Sequence, residues 1–225
     1  MIGIIGAMQI EVDAIKQKLT KTKEIKIGSI TFVVGEYNNQ EFVIAQCGIG
    51  KVFAAICAQT MIMHFNPKYI LNIGVGGSLS KNLNVGYIAI SSALVQHDMD
   101  TSPLGDPKGL ISGINVIEIP ADKDLINKIE QAVKKASINY EIGVIGSGDQ
   151  FINSVEKKDF IKKTFNAIAC DMEGAAIAQV CYVNNVPFAA IRAISDNADG
   201  KSHVDYSDFI QIAVNNTLKV FSNLY

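Results

Sequence analysis

Two short stretches near the C-terminal end, Asp171-Met172-Glu173-Gly174 and Arg192-Ala193-Ile194-Ser195-Asp196, decide the fold of this chain. Each follows an apolar run with the length and branching of a buried strand, Ala167 to Cys170 before the first and Val186 to Ile191 before the second. The segment between them, Ala175 to Val183, is rich in alanine and carries apolar residues at helical spacing. The unit therefore predicts a strand, a helix and a strand, and a crossover of this kind makes the two strands parallel.

Acidic side chains follow both strands, at the edge where open α/β sheets bind ligands. Glu173 and Asp196 lie just beyond the two strand ends, and Arg192, the only arginine, stands near the same edge. Glu11 follows the apolar first strand, Ile2 to Gly6, so we expect it there too. Burial would raise the pKa of a carboxyl at this edge, whereas the arginine would keep a neighbouring carboxylate ionised, as acid–base chemistry requires. The alternative for each is a solvated carboxylate or a helix N-cap, which holds for most of the 22 Asp and Glu residues.

Composition limits the class of protein. A chain of 225 residues is long enough for one α/β domain, and we expect a single domain over residues 1–225. The net charge of −2 leaves no electrostatic footprint for nucleic acid or an anionic membrane. No apolar run approaches the roughly 20 residues needed to span a bilayer. The four cysteines lie in apolar segments, as in a cytoplasmic protein, and the three histidines share no ligand spacing, so we expect neither a metal site nor a cofactor.

Apolar runs and turn residues divide the rest of the chain into alternating strands and helices. We expect strands at Tyr69 to Ile73, Val85 to Val95, Asn115 to Ile119 and Ile142 to Ile145, and an antiparallel pair at Ile25 to Gly35 and Glu41 to Cys47. We expect helices at Val52 to Phe65, Lys123 to Lys135 and Val155 to Lys163, and a last helix beginning near Asp205. The segment from Gln96 to Gly113 has the composition of a loop, and loops of this length are often lids or subunit contacts.

Two glycine-rich turns invite comparison with nucleotide-binding motifs. Gly48-Ile49-Gly50-Lys51-Val52 has no Ser or Thr after the lysine and lacks the earlier glycine of a phosphate-binding loop. Neither it nor Gly74-Val75-Gly76-Gly77 completes G-x-G-x-x-G, because Phe53 and Leu79 occupy the third glycine position. We therefore expect the glycines to admit a ligand or another backbone at close range, and we do not expect a dinucleotide site.

Phe151 and Met172 each stand directly after a predicted strand end. Such residues are usually a core aromatic and a core thioether. At this edge of a sheet they could instead flank a flat ring or the face of a sugar. The pattern leaves both interpretations open.

Five motifs occur in order along the chain: Ile4-Ile5-Gly6-Ala7-Met8 with Glu11, Gly48-Ile49-Gly50-Lys51-Val52, Ser147-Gly148-Asp149-Gln150-Phe151-Ile152, Met172-Glu173-Gly174-Ala175 and Arg192-Ala193-Ile194-Ser195-Asp196. The set resembles the 5′-methylthioadenosine/S-adenosylhomocysteine nucleosidases of the purine nucleoside phosphorylase superfamily, from the first strand to the final helix. The resemblance implies a three-layer α/β/α sandwich around a central mixed, largely parallel twisted sheet.

The resemblance also implies a reaction, the hydrolysis of the bond between adenine N9 and ribose C1′ in a 5′-thio-substituted adenosine. Asp196, aided by Ser195, matches the acid that protonates adenine N7. Glu11, steadied by Arg192, matches the base that activates the attacking water. Glu173 matches the residue that binds the 2′-hydroxyl while the ribose becomes oxocarbenium-like.

Substrate contacts and a partner follow from the same resemblance. Phe151 would stack on adenine, the Ile152 backbone would read its edge, and Gly77 would line the base pocket. The residues that match contacts to the sugar and the 5′-substituent are Met172, Met8, Ile49 and Tyr206. The family is a homodimer, and the loop around Thr101 to Gly113 matches the segment that closes the partner's 5′ pocket.

The chain departs from the family pattern in places. Val75 stands where many members have serine, and the loop Leu104-Gly105-Asp106-Pro107 lacks an aromatic residue that some members place over the 5′ group. The run Leu94 to Asp98, together with Gln150, is closer to members that also cleave 6-amino-6-deoxyfutalosine in menaquinone synthesis. That compound is therefore an open second substrate.

Two other functions stay open at this point. A purine nucleoside phosphorylase would use phosphate in place of water and needs several basic residues to hold the dianion, which a chain with one arginine supplies poorly. A non-catalytic adenosine-binding module would bind the nucleoside without releasing adenine. Amide substitutions at Glu11 or Asp196 separate a binding module from an enzyme.

Overall fold

Strands and helices alternate along the chain. In residues 1–198 and 202–225, which the computed structural model describes (202–208 by their backbone only), there are ten strands and six α-helices. The strands are β1 Ile2–Gly6, β2 Thr20–Ile27, β3 Ile30–Tyr37, β4 Gln40–Gln46, β5 Ile70–Ser78, β6 Ile88–Gln96, β7 Ile119–Pro120, β8 Tyr140–Ser147, β9 Ala167–Asp171 and β10 Phe188–Asp196. The helices are α1 Gln9–Lys16, α2 Lys51–Phe65, α3 Lys123–Lys135, α4 Val155–Phe165, α5 Gly174–Val183 and α6 Ser202–Leu224. No described helix is both long enough and apolar enough to cross a membrane.

The strands form one mixed sheet, in the order β10-β6-β8-β9-β5-β1-β4-β3-β2. Strand β1 pairs in parallel with β4 and β5, whereas β2, β3 and β4 form an antiparallel meander. Strand β5 also pairs with β10, so that β5, β10, β6, β8 and β9 close into a ring. This closure is a finding that the sequence pattern did not predict.

Helices cover both faces of the sheet. Successive side chains of a strand point to opposite faces, and β1 shows this clearly. Ile5 belongs to the core cluster that contains Ala54 of α2, whereas Ile4 belongs to a separate cluster with Val12 of α1. Helix α5 packs against α2, and α6 packs against α1, β5 and β10. The predicted three-layer α/β/α arrangement with a mixed sheet is therefore confirmed.

The prediction that the strands before Glu173 and Asp196 are parallel is wrong. Strand β10 runs parallel to β5, but β9 runs antiparallel to β5, so β9 and β10 have opposite directions. Only the carboxyl-terminal ends of β5 and β9 overlap, with Gly77 opposite Cys170. Glu173 and Asp196 therefore meet because the carboxyl-terminal ends of β5, β9 and β10 converge, and not because β9 and β10 lie side by side in parallel.

Three local predictions also differ from the structure. The segment predicted as one strand from Ile25 to Gly35 contains a turn at Gly28, whose φ of +60° breaks the run into β2 and β3. The strand expected at Asn115 to Ile119 is present only at its end, as the short β7, because Asn115 lies in a turn with a φ of +54°. The last helix begins at Ser202, earlier than predicted.

Strand β5 continues through the glycines at positions 74, 76 and 77, where a turn was predicted. Its glycines are needed because acidic side chains pass directly over the strand. A Cβ on Gly74 would lie 2.8 Å from Oε1 of Glu11, and a Cβ on Gly77 would lie 3.1 Å from Oδ1 of Asp196. The composition that suggested a turn therefore reflects the close approach of the acidic groups.

Candidate active site

A cavity of about 330 Å³ opens where the carboxyl-terminal ends of β1, β5, β9 and β10 converge. It is lined by ten of the twelve residues that the sequence analysis predicts: Met8, Glu11, Ile49, Gly77, Phe151, Ile152, Met172, Glu173, Ser195 and Asp196. Arg192 lies behind the cavity wall, fully buried. Tyr206 lies outside the side chains that the structure describes. The three acidic residues, far apart in the sequence, thus share one hollow.

Glu11 is held by backbone N–H groups. It occupies the first turn of α1, where Ala7 and Met8 donate their N–H groups to Oε2 at 2.7 and 2.8 Å. Val75 donates its N–H to Oε1 at 3.1 Å. Burial raises the pKa of Glu11, and the charge of Arg192 and these N–H groups offset only part of that effect. A fixed carboxylate with a raised proton affinity is suited to act as a base.

Glu173 lines the same cavity as Glu11 and directly precedes α5. The N–H of Gly50, at the start of α2, donates to Oε1 of Glu173 at 2.8 Å. Burial, followed by the negative charge of Asp171, raises the pKa of Glu173 to about 7. Gly50 has a φ of +97°, a backbone conformation that side chains disfavour, so this N–H depends on a glycine.

Asp196 is the last residue of β10 and is buried. Its Oδ2 accepts the hydroxyl of Ser195 at 2.9 Å, and its Oδ1 accepts the N–H of Ala198 at 2.9 Å. Gly77 pairs with Asp196 across β5 and β10, and its lack of a side chain leaves space beside the carboxyl group. These bonds orient the carboxyl group at the cavity wall.

Arg192 does not form an ion pair with Glu11, although the resemblance implied that it steadies that residue. Its Nη2 lies 2.7 Å from Oδ2 of Asp171, and both side chains are 1% exposed. Nη2 also donates to the Asn72 side chain, and Nη1 donates to the carbonyls of Asn72 and Ile191 at 3.2 and 3.0 Å. Arg192 therefore acts on Glu11 only through its longer-range charge.

Asp171 and Asn72 are the partners of Arg192 that sequence reasoning missed. Asp171 begins the motif Asp171-Met172-Glu173-Gly174, yet its position at a strand end does not indicate that it meets Arg192. Asn72 lies in the middle of β5, where its Nδ2 donates to the carbonyl of Ile5 at 2.9 Å. A polar side chain within an apolar strand was the one available signal.

Lys51, the lysine nearest to the glycine turns, belongs to a cluster of polar side chains. Its Nζ lies 2.7 Å from Oδ1 of Asp98 and 3.1 Å from Oε1 of Gln96. Its N–H donates to Oδ1 of Asp149 at 2.7 Å. These contacts tie the start of α2, and with it Gly50, to the loops that follow β6 and β8. The start of α2 is thereby anchored next to Glu173.

Comparison with known proteins places this arrangement in a family. The phosphorylase superfamily model matches residues 1–224. A 5′-methylthioadenosine/S-adenosylhomocysteine nucleosidase from Staphylococcus aureus is 44% identical over 214 residues, which are 95% of this chain and 93% of that protein. The chain belongs to the 5′-methylthioadenosine/S-adenosylhomocysteine nucleosidases. Within the part of this nucleosidase chain that the structure describes, no group of three His, Cys, Asp or Glu residues is placed to hold a metal ion.

Solved structures of nucleosidases match over almost the whole chain. The enzyme from Neisseria meningitidis in complex with methylthio-immucillin-A superposes with a TM-score of 0.96, at 32% identity, over 99% of this chain and 97% of that one. A futalosine hydrolase from Helicobacter pylori superposes with a TM-score of 0.94, at 35% identity, over 99% and 96% of the two chains. The nucleosidase fold and the nucleoside phosphorylase-like fold class are thereby shown.

Proposed function

We propose that the chain hydrolyses the N-glycosidic bond of 5′-methylthioadenosine and S-adenosylhomocysteine, releasing adenine and the 5′-substituted ribose. One domain, residues 1–225, carries this activity. The observation that supports it most directly is the convergence of Glu11, Glu173 and Asp196 on one cavity of about 330 Å³, in a chain of this family.

The base and the sugar occupy different parts of the cavity. Asp196, oriented by Ser195, donates a proton to adenine N7, so that the base leaves as a neutral molecule. The space over Gly77 receives the adenine, Phe151 stacks on it, and the backbone of Ile152 reads its edge. Met8, Ile49 and Met172 contact the sugar and the 5′-substituent.

The sugar develops positive charge as the bond from C1′ to N9 breaks. Glu173 accepts a hydrogen bond from the 2′-hydroxyl, and its negative charge stabilises the oxocarbenium-like ribose. Glu11 takes a proton from water while the water oxygen forms the new bond to C1′. After the reaction Asp196 is ionised, because it has given its proton to adenine, and Glu11 is protonated, because it has taken a proton from water. Proton exchange with solvent restores both groups.

Phosphorolysis has little support from the charges around the cavity. Its described lining residues include no lysine, arginine or histidine. Arg192 is paired with Asp171, and Lys51 is paired with Asp98. A phosphate dianion would therefore lack the donors that it needs. We expect full turnover in phosphate-free buffer, and strict dependence on phosphate would reassign the reaction.

Amide substitutions distinguish the enzyme from a binding module. Glu11→Gln and Asp196→Asn should each lower the rate of adenine release by at least about 100-fold, because each removes a proton-transfer group. Both variants should still bind a non-hydrolysable adenosine analogue in calorimetry. Glu118→Gln, the same change on an exposed carboxyl, is the control and should leave the rate unchanged. Absence of adenine release from the wild type would refute the proposal.

The order of substrates is measurable by comparing kcat/KM for 5′-methylthioadenosine, S-adenosylhomocysteine, 5′-deoxyadenosine and 6-amino-6-deoxyfutalosine. The last compound belongs in the set because Gln150 lines the cavity and because the Helicobacter pylori futalosine hydrolase is a structural relative. A kcat/KM for it within about tenfold of the best substrate would place the chain in menaquinone biosynthesis as well as in methionine salvage.

We also propose a homodimer. Helix α2 exposes an apolar face that begins beside Ile49 at the cavity and includes Val52, Phe53, Ile56 and Met63, with Val52 69% and Met63 74% exposed. An apolar face of this extent is typical of an interface. A second copy is the occupant that the family implies, and the loop from Thr101 to Gly113, with Leu104 84% exposed, would complete the partner's site.

The oligomeric state tests this part of the proposal. Ile56→Asp should convert the dimer to a monomer in sedimentation, whereas Lys128→Asp on the exposed face of α3 should not. Leu104→Ser should raise KM for 5′-methylthioadenosine while the protein stays dimeric. A monomeric wild type would refute the dimer but would leave the proposed hydrolysis unaffected. We further infer a cytoplasmic location, which the four buried free cysteines support.

A further inference from the structure

The carboxylates around the cavity outnumber the cations that could balance them. Glu11, Asp171, Glu173 and Asp196 all line it, and the one guanidinium, that of Arg192, lies behind its wall. The closest carboxylate to that guanidinium belongs to Asp171, at 2.7 Å. Arg192 thus forms its ion pair with Asp171, a residue that has no assigned part in the proposed reaction.

Asp171 makes a second set of contacts on its other oxygen. Its Oδ1 accepts the N–H of Glu173 at 3.2 Å and the N–H of Gly174 at 3.1 Å. These N–H groups open α5, so Asp171 determines where the Glu173 backbone leaves β9. One carboxylate therefore contacts the arginine on one side and the residue expected at the 2′-hydroxyl on the other.

We propose that Asp171 is a positioning residue, which anchors Arg192 and Glu173 in the cavity wall and takes up the arginine charge so that Glu11 keeps its basicity. The inference rests on the proposed hydrolysis and deepens it. It names a group that acts through Glu11 and Glu173 without contacting the reacting atoms.

Electrostatics give this role a signature that packing alone would lack. The negative charge of Asp171 raises the pKa of Glu173, and the charge of Arg192 lowers the pKa of both Glu11 and Glu173. Removing the charge of Asp171 therefore lowers both values, directly at Glu173 and by leaving Arg192 unbalanced. The other titratable groups that face this cluster are Cys47 after β4, His97 after β6, Cys170 on β9 and Asp196 on β10.

Asp171→Asn is the decisive variant, because the amide oxygen still accepts the two N–H groups while the charge is lost. We expect the acidic limb of the pH profile of kcat/KM to move to lower pH by about one unit. Asp124→Asn, the same change on the exposed surface of α3, should leave the limb in place. A folded Asp171→Asn protein whose limb does not move would overturn the inference.

Asn72→Asp supplies a test of opposite sign. It adds a carboxylate next to Arg192, so the acidic limb should move to higher pH, also by about one unit. This variant decides the matter if Asp171→Asn does not fold. If neither variant folds, Asp171 and Asn72 serve folding alone, and the inference is overturned. A wild type without adenine release would instead refute the proposed function itself.

Discussion

Replacing Glu173 by glutamine should stabilise the protein, and it should do so only at pH values that ionise this carboxyl in the unfolded chain. Burial and the nearby Asp171 raise the pKa of Glu173 from 4.5 to about 7. Between these values the unfolded chain releases a proton that the folded chain keeps, so the wild type loses stability as the pH rises. Glutamine does not titrate, and its side-chain oxygen still accepts the N–H of Gly50.

The magnitude follows from the size of the pKa shift. At 1.36 kcal/mol per pKa unit, Glu173→Gln should raise the free energy of unfolding by about 1 kcal/mol at pH 5 and by about 3 kcal/mol at pH 8. Adenine release should fall in the same variant, because the carboxylate expected at the 2′-hydroxyl is gone. A stabilised but impaired variant is the mark of a functional group that is buried at a cost to the fold.

Urea denaturation from pH 5 to pH 8, at constant ionic strength and protein concentration, measures the difference. Glu118→Gln makes the same chemical change on an exposed carboxyl and should leave the free energy of unfolding within about 0.5 kcal/mol of the wild type at each pH. An equal effect of Glu173→Gln at both ends of the range, or destabilisation at pH 8, would contradict the raised pKa.

Three further substitutions test the contacts of the site. Arg192→Met should reduce the free energy of unfolding by about 3–5 kcal/mol in urea denaturation at neutral pH, because it leaves Asp171 buried without a counter-ion; a loss below about 1 kcal/mol would refute the importance of the pair. Gly77→Ala should raise KM about tenfold in steady-state kinetics, because the new Cβ would lie 3.1 Å from Oδ1 of Asp196 in the space expected for adenine, and an unchanged KM would place the base elsewhere. Gly50→Ala should reduce the free energy of unfolding by about 1–2 kcal/mol and lower kcat, because a side chain disfavours the φ of +97° that directs the Gly50 N–H at Glu173; wild-type values of both would contradict this.

The local pattern of apolar and polar residues predicted many of the strands and helices correctly. The apolar runs before Asp171 and Arg192, and the helical spacing between them, correspond to β9, α5 and β10. Periodicity failed where glycine and asparagine accept left-handed backbone conformations, as at Gly28 and Asn115. It also failed at the glycines of β5, because local composition does not distinguish a turn from a strand that passes beneath buried side chains.

The sequence by itself determined the residue types of the site, their positions after strand ends, and the family that the motifs resemble. Only the tertiary structure decided that β9 and β10 run in opposite directions with overlapping ends, and that Arg192 pairs with Asp171 and not with Glu11. The physical reason is that strand pairing and ion pairing are contacts between residues distant in the chain, whereas hydrophobic period reports only on near neighbours. The raised pKa of Glu173 belongs to the same class, since it arises from burial and from charges that folding brings together.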